Sequence, residues 1–149
     1  MRTLSWYVSV ICSVFMLSGC APEVQRFAGD SPKLGSQVGV REAGAIKAKA
    51  QPGFLVFGPY VTLEPGIYKL VAKGNLAGPN KGLGTIDVVS GKAENIIAIK
   101  PIVAGQAGAG NIVSLAFEVA QTVTDAEFRI NVPAQTTGEF AAYELSKID

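Results

Sequence analysis

From residue 37 onward, apolar and polar positions alternate in short runs, the period-two pattern of strands with one buried and one wet face. Tyr68, Leu70 and Ala72 fall on one face, with Lys69 and Lys73 on the other. Ile86 and Val88 alternate with Thr85 and Asp87, and Ile97 and Ile99 with Ala98 and Lys100. The two clearest runs set Leu115, Phe117 and Val119 against Ser114, Ala116 and Glu118, and Phe128, Ile130 and Val132 against Glu127, Arg129 and Asn131. Phe54-Leu55-Val56-Phe57 is apolar throughout, Gly58-Pro59 breaks it, and Tyr60-Val61-Thr62-Leu63 resumes the alternation. Residues 37–41 form a short candidate strand, and residues 45–50 fit either a strand or a fragment of helix.

Punctuation between these runs supports many turns. Glu64-Pro65-Gly66-Ile67 fits a type II turn, since proline presets the negative φ of the second position and glycine accepts the positive φ of the third. In residues 139–145 Phe140 is out of step with Tyr143 and Leu145, which calls for a bulge or a bend. Short strands at this spacing, with no long amphipathic helix pattern, predict an all-β domain. The expected architecture is an antiparallel β-sandwich or jelly roll over residues 37–149.

The N-terminal pattern is different. Arg2 precedes a largely apolar run over residues 4–17, too short for a spanning helix of about 20 residues but fitting a secretory h-region of roughly 7 to 15. The run ends in Leu17-Ser18-Gly19-Cys20, which resembles the bacterial lipobox. That resemblance implies a signal peptide over residues 1–19 and a diacylglycerol on the Cys20 thiol; the other reading is an ordinary signal peptide with Cys20 near the cleavage site. Two or three acyl chains anchor a protein stably where one does not. Ala21 follows the cysteine, where lipoproteins retained at the inner membrane often carry Asp, so the resemblance implies an outer-membrane address for a Gram-negative source. Residues 20–36 contain two prolines and two glycines without sustained periodicity, and are expected to form the lipidated N-terminus and a tether. Phe27 and Leu34 stand out in it as residues that dock on the domain or on the membrane interface.

Composition sharpens the picture chiefly by exclusion. The chain has 13 basic and 12 acidic residues, and loss of Arg2 with the leader brings them level, which leaves no basic patch for nucleic acid. Cys12 leaves with the leader and Cys20 is taken by lipid, so no thiol remains for a disulfide, a metal site or nucleophilic catalysis. There is no histidine, which removes Ser-His-Asp catalysis and imidazole metal ligation. Gly105-Gln106-Ala107-Gly108-Ala109-Gly110 lacks the spacing and the following helix of a phosphate loop and reads as an inter-strand loop. A calcium site needs several clustered oxygen ligands, and no dense Asp/Asn run is present. No cofactor, no metal and no enzymatic activity are expected.

A second resemblance is carried by the segment from Gly53 to Tyr68, whose Gly53-Phe54-Leu55-Val56-Phe57-Gly58-Pro59-Tyr60 and Leu63-Glu64-Pro65-Gly66-Ile67-Tyr68 are similar to the "G-x-L-V-x-G-P-Y-x-x-L-x-P-G-x-Y" pattern of certain jelly-roll domains. Those domains accompany glycosyltransferases and methyltransferases of surface-polysaccharide synthesis. Glu127-Phe128-Arg129-Ile130 is similar to their "E-F-R-V" strand, and the likeness spans about residues 37–147. It implies a carbohydrate-binding-like sandwich without catalysis, but fold does not fix function.

A saccharide site in such a sandwich needs an aromatic platform for the apolar sugar face and carboxylate, amide or guanidinium groups for the hydroxyls. Without Trp6, which lies in the leader, the aromatic candidates are Tyr60 and Tyr143, with Phe57 and Tyr68 read as core. Alternation places Tyr60 outward with Thr62; it serves either as a platform or as a ring packed under a loop with its hydroxyl on a backbone carbonyl. Glu127, Arg129 and Asn131 share an outward face. They either hydrogen-bond a glycan or make a solvated, ion-paired surface worth about 0 to 1 kcal/mol per exposed pair. Two functions follow: a lipid-anchored envelope protein that binds a polysaccharide, or an assembly lipoprotein that docks another envelope protein through the sandwich.

Overall fold

A computed structural model describes residues 23–149. The signal peptide, the acylation of Cys20 and the role of Ala21 concern residues outside these. Among the described residues the regular structure is entirely β: β1 (Val24–Ala28), β2 (Gly39–Glu42), β3 (Ala45–Ala48), β4 (Gly53–Val56), β5 (Pro59–Leu63), β6 (Gly66–Ala77), β7 (Gly82–Ser90), β8 (Asn95–Val103), β9 (Asn111–Val119), β10 (Val123–Val132) and β11 (Thr137–Lys147). They form two sheets in which every paired strand is antiparallel. One runs β2-β3-β11-β6-β9 with β1 also on β11; the other runs β4-β10-β7-β8 with β5 also on β10. The expected all-β antiparallel sandwich is therefore the observed one.

Residues with the apolar parity of each run line the inner faces. Leu70, Ile86, Val88, Phe128 and Ile130 are all fully buried in one core, each worth about 1.5–3 kcal/mol for leaving water. Its centre is an aromatic trio in which Tyr143 meets Phe140 at 4.6 Å and Phe128 at 5.6 Å, both edge-on, the arrangement the ring quadrupole favours. The bulge expected in the last strand lies between Phe140 and Ala142, where the pairing with β6 shifts. One extra residue there turns Phe140 and Tyr143, which simple alternation would set on opposite faces, both inward.

Four expectations need correction or completion. Residues 24–36 are part of the sandwich rather than a tether: β1 pairs with β11 from Val24↔Ser146 to Ala28↔Ala142, and Phe27 and Leu34 are buried in the core. The irregular stretch after β1 is held by Arg41, whose guanidinium donates to the carbonyls of Gly29, Ser31 and Leu34. The strand that pairs with β1 is distant in sequence, so local composition resembled a spacer. Residues 45–48 are strand, paired with both β2 and β11. Gly66 has φ 157°, far from the +80° of a type II turn; the reversal is instead closed by the Tyr68 hydroxyl donating to the Glu64 carbonyl at 2.7 Å. Ile97 and Ile99 do not share a face, because a register shift between Val88 and Val89 makes Ile97 the extra residue of a bulge; it packs on the core while Ile99 is exposed.

β10 has two partners along one edge: β4 against Ile130 to Val132, then β5 against Val123 to Glu127. The break between them is at Gly58, whose carbonyl accepts from the Phe128 amide. Gly58 has φ 113°, and a Cβ there would collide with the Lys33 carbonyl, so only glycine fits. This break delivers Tyr60 to the outer face.

Candidate functional site

The outer face of the five-stranded sheet carries four of the five polar and aromatic residues singled out in the sequence. β10 buries Ala126, Phe128, Ile130 and Val132 and turns Glu127, Arg129 and Asn131 outward. Tyr60 follows a cis Gly58-Pro59 bond and has φ 63°, a left-handed conformation that a bulky side chain rarely adopts. It is 54% exposed, and its hydroxyl donates to Glu127 Oε2 at 2.7 Å. Tyr60 thus does not cap a backbone carbonyl under a loop. It stands at the surface, braced by a carboxylate on the next strand, with ring surface open to solvent.

Beside it, Arg129 makes a two-pronged bond to Asp87 on β7, Nε to Oδ1 at 2.9 Å and Nη2 to Oδ2 at 2.6 Å. Its guanidinium also lies over the Phe54 ring, 4.9 Å from the centroid, where the quadrupole attracts the cation. The register Arg129↔Asp87 sets the two charges directly across from each other. Asn131 is exposed at the end of the row. Ile99 pairs with Asp87, and Ile96 with Val89, so two exposed isoleucines on the edge strand β8 extend the same face.

The environment sets the protonation states. Burial, together with the bond and the charge of Glu127, pushes the Tyr60 phenol up to about 12. The bond to Asp87 raises Arg129 above its ordinary value despite the opposing effect of burial. At neutral pH the face therefore presents a neutral phenol and a guanidinium already engaged by Asp87.

Tyr143, the other aromatic candidate, is not part of this face. It is fully buried, its ring completes the core trio, and its hydroxyl has no hydrogen-bond partner among the described residues. The bulge at residue 141, which the misfit of Phe140 called for, sets it inside together with Phe140 and Leu145. Two participants escaped the sequence reading as a pair. Asp87 was visible as an outward polar residue, and Phe54 only as one of four successive apolar residues. What joins them to Arg129 is the register of β10 against β7 and β4, which no local pattern encodes. A separate concavity of about 300 Å³ lies between the sheets near the loop of residues 104–110, lined by Asn75, Leu76, Leu83, Val103 and Asn111 among others. None of the residues nominated from the sequence lines it.

The chain is a two-sheet antiparallel sandwich with one exposed tyrosine among hydrogen-bonding groups on an outer face. Comparison with solved structures bears this out for the fold. The chain is similar to the C-terminal CBM6 of LamC, a marine laminarinase from Zobellia galactanivorans, at 10% identity and TM-score 0.54, covering 84% of this chain and all of that one. It is also similar to the carbohydrate-binding module CBM6cm-2 of Cellvibrio mixtus lichenase 5A, solved in complex with cellotriose, at 8% identity and TM-score 0.52, covering 84% of this chain and 98% of that one. Neither a protein-family model nor a curated protein matches the sequence.

Proposed function

We propose that this is a lipid-anchored cell-envelope protein whose sandwich binds a polysaccharide without catalysis, through the face built by Tyr60, Glu127, Arg129, Asp87 and Asn131. The observation that carries the reading is Tyr60. A bulky residue at positive φ costs on the order of 1–3 kcal/mol, and such strain persists where surrounding structure enforces it, often at ligand clamps. Here the strain holds an open aromatic surface beside the Glu127 carboxylate, which accepts from hydroxyls, and the Asn131 amide, which both donates and accepts. The cellotriose complex of a module with the same fold supports a saccharide as the ligand class. Anchoring is supported by the lipobox-like Leu17-Ser18-Gly19-Cys20.

The test is an array of polysaccharides with the protein from residue 21 onward, wild type and Tyr60→Ala. Saturable binding to at least one polysaccharide, weakened about tenfold or more in the variant, a loss of roughly 1.4 kcal/mol, is expected; absence of binding, or binding indifferent to Tyr60, refutes the site. For the anchor, Cys20→Ser is expected to move the protein out of the membrane fraction. Ile96 and Ile99, exposed on the same face, favour a second reading in which an envelope protein docks there. Co-purification of one partner, lost in Ile99→Asp and insensitive to added polysaccharide, would select it.

A further inference from the structure

We propose that the corner of the sandwich where β1 begins and β11 ends rests on the lipid bilayer, with Val24, Ile67 and Ile148 in its interfacial layer. This inference rests on the acylation of Cys20. The three side chains are 54%, 42% and 49% exposed. They share the outer face of the six-stranded sheet: the Ile148 amide donates to the Ile67 carbonyl at 2.8 Å, and Val24 pairs with Ser146, which in turn pairs with Lys69. Ile67 and Lys69 lie two residues apart on one strand, as do Ser146 and Ile148, and such pairs point the same way. With strands about 4.8 Å apart, neighbouring rows on one face are about 7 Å apart, so the three aliphatic side chains form one triangle.

The chain reaches this corner from the anchor by a very short path. Only Ala21, Pro22 and Glu23 separate Cys20 from the first residue of β1. Four residue steps span at most about 14 Å, comparable to the headgroup layer and the 5–10 Å to which interfacial apolar groups sink. A cysteine held at the glycerol level therefore brings Val24 to the membrane surface. Had residues 20–36 been a free tether, the domain could have turned in any direction; the incorporation of β1 into the sheet removes that freedom. Lys69, in the row of Val24 and Ser146, flanks the triangle and Glu118 pairs with Ile67, a balance that suits a zwitterionic headgroup layer. The triangle is too small to bind a bilayer alone; the acyl chains hold the protein and the triangle orients it. The face of Tyr60, on the opposite sheet, then points away from the membrane.

The mature chain has no cysteine besides Cys20, so single thiols can be introduced into the acylated full-length protein, reconstituted in phosphatidylcholine vesicles and labelled with an environment-sensitive fluorophore. Labels at Val24→Cys and Ile67→Cys are expected to shift to the blue and to be quenched by nitroxide lipids, while Ile99→Cys and Ala109→Cys remain in water. Val24→Asp combined with Ile67→Asp should abolish the quenching of a label at Ile148→Cys although the protein still sediments with the vesicles. A label at Ile67→Cys as water-exposed as one at Ala109→Cys, on protein whose Cys20 carries acyl chains by mass spectrometry, overturns the orientation alone. Absence of acyl chains on Cys20 overturns the anchor reading and this inference with it.

Discussion

The Asp87–Arg129 pair yields an asymmetric stability prediction. Its side chains are 11% and 19% exposed, closer to a buried pair, where loss of one partner costs about 3–5 kcal/mol, than to a surface pair at about 0–1. Arg129→Met leaves the Asp87 carboxylate short of water and without its guanidinium, and also removes the cation from the Phe54 ring. The expected loss is about 2–3 kcal/mol. Asp87→Ala strands a cation instead, but the longer arginine stem can swing its charge to solvent, so the expected loss is about 1–2 kcal/mol. Removing both leaves no unpaired charge, and the double variant is expected to lose only about 1 kcal/mol, less than Arg129→Met alone. The assay is urea denaturation of the protein from residue 21 onward, with melting temperature as a second readout; Arg129→Met should lower it by roughly 10 °C for a domain of this size. If the double variant is as unstable as the two single losses added together, the groups are not coupled. Arg129 is then not held by Asp87, and the reading of its guanidinium as engaged by that carboxylate fails.

Other expectations follow from single observations. Tyr143 has a fully buried hydroxyl without a partner among the described residues, so Tyr143→Phe should be neutral or stabilise by up to about 1 kcal/mol, whereas Tyr143→Ala should cost about 3–5 kcal/mol; thermal denaturation distinguishes them. The Asp125 carboxylate accepts from the Gly91 and Lys92 amides, where three successive residues have positive φ, and these bonds hold its pKa below the ordinary value. A depressed carboxylate stabilises the fold above its unfolded pKa and loses that contribution as pH falls through the folded pKa. The melting-temperature gap between wild type and Asp125→Ala should therefore be full at neutral pH and close in acid below about pH 4. A gap independent of pH would contradict this. Ala43 and Gly44 join β2 to β3 with φ 52° and 80°, a geometry suited to Asn-Gly. Ala43→Asn should raise stability by about 0.5–1 kcal/mol in denaturant titration.

Local alternation determined much of this protein. Strands β6, β7, β9 and β10 and the inward residues of each were legible because a pleated strand turns successive side chains to opposite faces, and that information sits within a few residues. The same parity set Tyr60, Glu127, Arg129 and Asn131 outward, and the misfit of Phe140 announced the bulge in β11. Tertiary structure alone decided what depends on partners far along the chain. Val24 to Ala28 is a strand because β11, 118 residues away at Arg26 and Glu144, offers it an edge. Tyr143 joins Phe140 in the core because one extra residue shifts the parity between them, and Ile99 is exposed because another does the same in β8. Asp87, Arg129 and Phe54 meet through cross-strand register, which is fixed by the simultaneous burial of both sheets' inner faces and has no signature in any single segment.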